Sequence, residues 1–280
     1  MKPFRLLDPN LPDRMACGVC ALAIMTKAPQ AGRVKTRLVP PLTPAEAAEL
    51  NRCFLRDTAA AISRACRRRP VGDVSKMQFN QASASRPPSH SFCVAGSEAA
   101  TTACGIAVYT PMGAESAYDG ILPANFSLLP QRGDKFGERL YFAVEDLFKC
   151  GFEAVCLIDS DSPTVPAENF AEAVELLSTR EDRVVLGPSN DGGYYLIGVK
   201  KLHRRLFEQI DWSTERVFKQ TIQRVTEMGL EVELLPIGYD VDDDASLRRL
   251  CNELLADMAS ANVAPYTREF LAKISGQKKL

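Results

Sequence analysis

Between Ala154 and Met258 the sequence alternates short apolar runs with stripes of helical spacing, and this alternation restricts the fold more than any other feature. Ala154 to Ile158, Val184 to Leu186, Tyr194 to Val199 and Val232 to Ile237 have the length of strands. Phe170, Val174 and Leu177, then Phe218, Ile222 and Val225, then Leu247, Leu250, Leu254 and Met258 recur at helical intervals. A short continuous apolar run reads as a strand covered on both faces, and a 3.6-residue period as a helix covering it. The pattern extends upstream. Gly18 to Met25, Ile106 to Tyr109 and Phe126 to Leu129 read as strands, and Phe136, Leu140, Val144, Leu147 and Phe148 as a helix ending at Gly151. Another helix opens at Thr43 with Pro44 and Glu46, a capping box, and runs to about Cys66. Strands alternating with helices predict an α/β fold with a mainly parallel sheet and helices on both faces.

The 280 residues divide into a polar lead (1–15), one domain (16–260) and a C-terminal tail (261–280). Inside the domain, residues 67–103 keep no period and are rich in Ser, Ala, Pro and Gln, so they read as a flexible insertion. Thirty-four Lys and Arg face 35 Asp and Glu, a formal net charge of −1. Whole-chain attraction to nucleic acid or to an anionic membrane is therefore not expected. The apolar stretch Cys17 to Met25 is far shorter than the roughly 20 residues of a membrane span. Its Ala21-Leu22-Ala23 imitates a leader cleavage site, but Asp8, Asp13 and three prolines precede it, and it reads as a core strand. Nine cysteines, with Cys17 and Cys20 a lone C-x-x-C, predict reduced thiols in a cytoplasmic compartment. Only two histidines, His90 and His203, argue against a His-rich zinc site or a Ser-His-Asp triad.

Four segments carry candidate chemistry, each where a strand ends. After the first strand, Lys27, Arg33, Lys35 and Arg37 put four cations within eleven residues, together with Gly32. On a strand-to-helix loop such a cluster suits di- or triphosphate, with backbone N–H groups near Gly32 completing a cradle. A solvated loop is the plainer reading. Asp159-Ser160-Asp161-Ser162-Pro163 closes a buried-type strand, and carboxylates there call for a partner such as a hard divalent cation, or else form an Asx-turn. Asp240, Asp242, Asp243 and Asp244 follow a later strand, more acids than capping one helix requires; Asp242 is the candidate second metal carboxylate. Asp191-Gly192-Gly193 lies between two strands. It serves a hairpin turn, or lets backbone approach a ligand beside a carboxylate able to bind a hydroxyl or act as a base. Trp212, the single tryptophan, reads as a packing anchor or a stacking surface.

These segments together resemble a known group. Lys27-Ala28-Pro29, Gly32 to Leu38, Gly137-Glu138-Arg139, Asp159 to Pro163, Gly187-Pro188, Asp191 to Gly198, Trp212-Ser213-Thr214 and Asp240-Val241-Asp242 resemble the DUF2064 family. Its members are glycosyltransferase-like proteins often described as radical-SAM/selenodomain-associated transferases. The resemblance spans roughly residues 20–250 outside the insertion. It implies a GT-A nucleotide-diphospho-sugar transferase fold, a three-layer α/β/α sandwich on a mixed, mainly parallel sheet. Lys35 to Leu38 and the helix after them are also similar to 2-phospholactate guanylyltransferases, which share that fold. Two positions depart from the family: Asp159 stands where Gly is common, leaving Asp161 the safer metal ligand, and Asp243 stands where Thr is usual.

The resulting expectation is a Mg²⁺- or Mn²⁺-dependent transferase with a nucleotide-diphospho-sugar or similar nucleotide-activated donor and a small-molecule acceptor. It needs no nucleic-acid partner and no membrane insertion. Asp161 and Asp242 would hold the cation. Lys27, Gly32, Lys35, Arg37, Gly192 and Gly193 would contact the donor, with Lys35 also acting electrostatically in catalysis. Asp191 would orient or deprotonate the acceptor hydroxyl. One alternative is a nucleotidyltransferase joining an NTP to a phosphorylated acceptor, and another is a non-catalytic nucleotide-binding protein.

Overall fold

In the computed structural model, residues 4–11, 19–67, 102–256, 260 and 262–276 are described. Cys17 and nearly all of the 67–103 insertion lie outside the described residues. Eight strands form one sheet: β1 (Arg5–Leu6), β2 (Val19–Lys27), β3 (Thr102–Thr110), β4 (Ser127–Pro130), β5 (Ala154–Ile158), β6 (Arg183–Pro188), β7 (Tyr194–Val199) and β8 (Glu231–Leu234). Among the described residues four α-helices connect strands, α1 (Pro44–Ala65), α2 (Phe136–Lys149), α3 (Ala167–Ser178) and α4 (Val217–Glu227), and two follow the last strand, α5 (Asp244–Leu255) and α6 (Pro265–Ser275). The sheet order is β1-β4-β3-β2-β5-β7-β6-β8, parallel except for β7, which runs against both β5 and β6. This is the α/β fold with a mainly parallel sheet that the alternation predicts, and the antiparallel β7 makes the sheet mixed, as the resemblance implies.

The inner strands β2, β5, β6 and β7 are buried on both faces because their side chains alternate between two apolar layers. Along β2, Cys20, Leu22 and Ile24 pack with Leu55 and Ile62 of α1 and Phe170 and Leu177 of α3. Ala21 and Ala23 face the other way, against Leu140, Val144 and Leu147 of α2. The capping box at α1 forms as expected, with Glu46 N–H donating to the Thr43 hydroxyl and Thr43 N–H to the Glu46 carboxylate. Cys20, Cys53, Cys156 and Cys251 are buried free thiols.

Two terminal segments hold more structure than a lead and a tail. β1, inside residues 1–15, pairs with β4 through Arg5–Ser127 and Leu6–Leu128. In the 261–280 segment, α6 places Leu271 and Ile274 in a third apolar cluster with Leu50 and Phe54 of α1 and Leu247 and Leu250 of α5. An eleven-residue helix carries too short a stripe to stand out beside the polar tail around it.

Parallel strands put their C-terminal ends at one edge. The loop after β2, the turn after β5, the β6–β7 hairpin and the loop after β8 therefore open together. The chain leaves β2 for β3 on one side and returns to β5 on the other, the switch point at which such sheets form a crevice. No described helix is long and apolar enough to cross a membrane.

Candidate functional site

The loop after β2 delivers Lys35 to the centre of that crevice. Lys35 takes a left-handed backbone, φ 48° and ψ 38°, just before a short 3₁₀ turn, Thr36–Leu38. That conformation costs about 1–2 kcal/mol for a residue with a Cβ. The side chain crosses to three oxygens: Asp161 Oδ1, Asp242 Oδ1 and the Val241 carbonyl, each 2.8 Å from Nζ. An ammonium has three donors, and all three are used. Burial alone would lower the Lys35 pKa, but the charges of Asp161 and Asp242 and their hydrogen bonds outweigh it, so the net shift is upward. The sequence groups Lys35 with the loop's other cations as a contact for the donor's phosphates. The Lys35 side chain is instead 4% exposed. Lys27, Arg33 and Arg37 are the exposed cations of the loop. Gly32, at φ +73°, has nothing within 4 Å of a would-be Cβ, so its backbone faces open space.

The turn after β5 separates its two aspartates. Asp159 is committed locally: its carboxylate accepts from the Ser162 hydroxyl at 2.7 Å and from Asp161 N–H at 3.3 Å. Burial, then the charge of Asp161, raises its pKa well above the usual range. Asp161 points outward to Lys35, and its carbonyl accepts from Val241 N–H at 3.0 Å, tying the two acidic segments together.

After β8 the four acids also divide. Asp243 is the N-cap of α5, accepting from Ser246 N–H at 2.8 Å, and Asp244 pairs with Arg248 one turn on. Asp242 holds Lys35. Asp240 is half-buried, and burial followed by the charges of Asp191 and Asp242 pushes its pKa up to about 6. The surplus over capping thus consists of Asp240 and Asp242.

The β6–β7 hairpin fixes Asp191, whose Oδ1 accepts from Gly193 N–H at 2.9 Å. Gly192 is required by its surroundings: at φ +87°, an added Cβ would lie 2.3 Å from the Glu215 carbonyl oxygen. Its own carbonyl accepts from Phe218 N–H at 2.8 Å, so the hairpin docks on the segment entering α4. For this glycine, packing accounts for the residue choice.

Two recesses open on these groups. A cleft of about 910 Å³ is lined by Lys27, Arg33, Lys35 and Arg37 on one side and Asp161, Asp191, Asp240 and Asp242 on the other. Arg249 of α5 also faces it, with its guanidinium 3.7 Å from the centre of the Tyr239 ring. Behind the cleft lies a chamber of about 260 Å³ with largely apolar walls. Arg249 escapes a sequence reading because it looks like one cation on a helix surface, and Asp240 is visible there only as one acid of a cluster, without a role of its own.

Asp161 and Asp242 suit a hard divalent cation, which takes oxygen ligands and commonly binds through one or two carboxylates with substrate phosphates and water. Both side chains stay open to such a ligand set, at 32% and 44% exposed. Among the described residues no cluster of three or more His, Cys, Asp or Glu could enclose an ion. The remaining ligands would have to come from substrate and solvent, and Lys35 Nζ already neutralises one charge of the pair.

Residues 96–214 match the model of DUF2064, a family described as an uncharacterized protein conserved in bacteria. No curated protein matches the chain. Among solved structures, a candidate nucleotide-diphospho-sugar transferase from Desulfovibrio desulfuricans G20 is 25% identical, with a TM-score of 0.71 over 93% of this chain and 96% of its own. A 4-diphosphocytidyl-2C-methyl-D-erythritol synthase from Anaerococcus prevotii follows at 13% identity and TM-score 0.46, covering 85% of this chain and 96% of its own. Glucosyl-3-phosphoglycerate synthase from Mycobacterium tuberculosis, at 11% and 0.43, covers 94% of this chain and 80% of its own. Residues 96–214 thus match DUF2064, and the chain is similar in fold to the candidate nucleotide-diphospho-sugar transferase from Desulfovibrio desulfuricans G20.

Proposed function

We propose that the chain is a transferase that moves a sugar from a nucleoside-diphosphate donor to a small-molecule acceptor. One observation carries the reading: Ser160, Asp161, Asp191, Ser213, Thr214 and Asp240 line both the charged cleft and the chamber behind it. Reactants seated in the two recesses meet at that strip, and holding them there converts an encounter into an oriented reaction. Lys27, Arg33, Arg37 and Arg249 offset the charge of a diphosphate in the cleft. The likeness to the Desulfovibrio protein, by its description a candidate transferase of this kind, supports the donor class. A hard divalent cation on Asp161 and Asp242 would add charge stabilisation for the departing diphosphate. Asp191, fixed by Gly193 N–H, orients the acceptor hydroxyl and receives its proton. The acceptor oxygen bonds to the anomeric carbon as the carbon–oxygen bond to the diphosphate breaks, and the electron pair leaves with the nucleoside diphosphate.

The nucleotidyltransferase alternative draws on a lysine free to meet an α-phosphate. Lys35 spends its three donors on Asp161, Asp242 and the Val241 carbonyl, so the exposed lysine lining the cleft is Lys27. Incubation with a panel of nucleotide sugars and Mn²⁺ tests the reading by the release of nucleoside diphosphate. Release of pyrophosphate from an NTP with a phosphorylated acceptor would transfer support to nucleotidyl transfer. Binding without turnover of any donor would leave a nucleotide sensor.

A further inference from the structure

The chamber behind the carboxylate strip differs in chemistry from the cleft in front of it. Met25, Leu140, Leu157, Ile197, Trp212 and Val217 contribute apolar wall. Phe136 meets the Trp212 ring edge to face, with centroids 5.4 Å apart, and reaches out as an exposed lip. Gly137 is what lets the indole lie so close to α2, since a Cβ there would come within 2.3 Å of Trp212 Nε1. The tryptophan is therefore held as a fixed wall. None of the residues lining the chamber is Lys, Arg or His, whereas Asp159, Asp161, Asp191 and Asp240 are among them. Lys27, Arg33, Lys35, Arg37 and Arg249 line the neighbouring cleft, and of these Lys35 reaches the shared strip, with Nζ 2.8 Å from Asp161.

We propose that this chamber receives an acceptor built on a small aromatic ring, bearing a hydroxyl or amine and no phosphate. The inference rests on the transferase reading and names its second substrate class. Three observations support it. A chamber of about 260 Å³ holds a ring with a short substituent, given that an apolar cavity of about 150 Å³ suffices for benzene. A fixed indole stacks well against a ring and attracts an ammonium. A phosphate dianion would face the carboxylates of Asp159, Asp191 and Asp240, while the ammonium beside the strip, Lys35 Nζ, already donates to Asp161 and Asp242; a hydroxyl or ammonium instead finds acceptors in the carboxylates. The polar end of such an acceptor lies at the strip shared with the cleft, where the donor's reacting carbon is presented.

Trp212 is the only tryptophan, so its emission reports the chamber alone. The test titrates the full chain with 2-phenylethylamine, 2-phenylethanol and phenyl phosphate, following emission excited at the red edge, with calorimetry in parallel. The amine and the alcohol are expected to change the emission saturably and to bind at least tenfold more tightly than phenyl phosphate. Trp212→Phe should remove the optical signal. Equal or tighter binding of phenyl phosphate overturns the proposal, as does the absence of saturable binding by all three. Saturable quenching by uridine or guanosine that displaces the amine also overturns it, by making the chamber a base pocket. Nucleoside diphosphate binding with Mn²⁺ is measured separately by thermal shift. Its failure beside intact amine binding would count against the transferase reading and not against the chamber.

Discussion

The ammonium of Lys35 lies 2.8 Å from Oδ1 of Asp242, a residue 207 positions further along the chain. The same Nζ lies 2.8 Å from Asp161, so one buried cation joins the loops that follow β2, β5 and β8. Removing one member of a buried pair leaves the others without compensation, at about 3–5 kcal/mol when fully buried. Here both carboxylates are partly solvated, so Lys35→Ala is expected to cost about 1–3 kcal/mol. Mn²⁺ should then restore part of the loss by taking the position of the ammonium. The melting temperature of Lys35→Ala should rise more with Mn²⁺ than that of the parent. An equal rise in both proteins would show that the two cations do not share a position.

Asp161→Asn separates the metal role from the structural one. Asparagine can still accept from Lys35, so the fold should persist. Calorimetric binding of a nucleoside diphosphate should lose its dependence on Mn²⁺. Undiminished Mn²⁺-dependent binding would remove Asp161 from the site.

Arg37 lies exposed in the cleft and tests phosphate binding without disturbing the core. A charge-assisted contact is worth roughly 1.5–3 kcal/mol, so Arg37→Ala should weaken nucleoside diphosphate binding on the order of 10- to 100-fold. The loss should shrink as salt rises, and unfolding should change little. Parent-like affinity at low ionic strength would make Arg37 ordinary surface.

Much of this site is legible in the sequence, and the remainder is hidden for physical reasons. Period and strand length reveal β2, β5, β6 and β7 because each is buried on both faces. The strand-end placement of Lys27 to Leu38, Asp159 to Pro163 and Asp240 to Asp244 brings those segments to one edge as soon as the sheet is parallel. The partners of Lys35 are not legible, because a lysine looks the same in sequence whether it meets a phosphate or two distant carboxylates. By residue type and spacing Asp159 and Asp161 look equivalent, and only the resemblance favours Asp161; the reason, that Ser162 claims Asp159, is visible only in the structure. The chamber is invisible for a third reason: Met25, Leu140 and Ile197 belong to apolar stripes that read only as core.

Two glycines separate conformation from contact. Gly32→Ala should cost about 1 kcal/mol, since only its positive φ resists a Cβ and the space around it is open. Gly192→Ala adds a collision with the Glu215 backbone to the same conformational penalty, so it should destabilise by more than about 3 kcal/mol or move the hairpin. Urea unfolding of both variants checks the order. Equal costs would mean that the Glu215 segment yields freely.

Asp57 supplies the one stability prediction far from the cleft. Its buried carboxylate on α1 accepts from Tyr266 N–H at 3.1 Å and Thr267 N–H at 2.8 Å, and so caps α6 from another helix. Losing a cap of this kind leaves two helix N–H groups unsatisfied, and Asp57→Ala should cost about 1–3 kcal/mol. The pH dependence has a definite sign. Burial raises the Asp57 pKa above the ordinary aspartate value, and the hydrogen bonds from Thr267 and Tyr266 only partly offset it. A group whose folded pKa lies above its unfolded value of about 3.9 binds its proton more tightly in the folded state. Its stabilising contribution is therefore full below the unfolded pKa and is lost as pH rises through the folded one. The stability gap between the parent and Asp57→Ala, measured by urea unfolding from pH 4 to pH 7, should narrow as pH rises. A gap that widens over that range would mean that the two N–H donors outweigh burial and hold the carboxylate below its usual pKa.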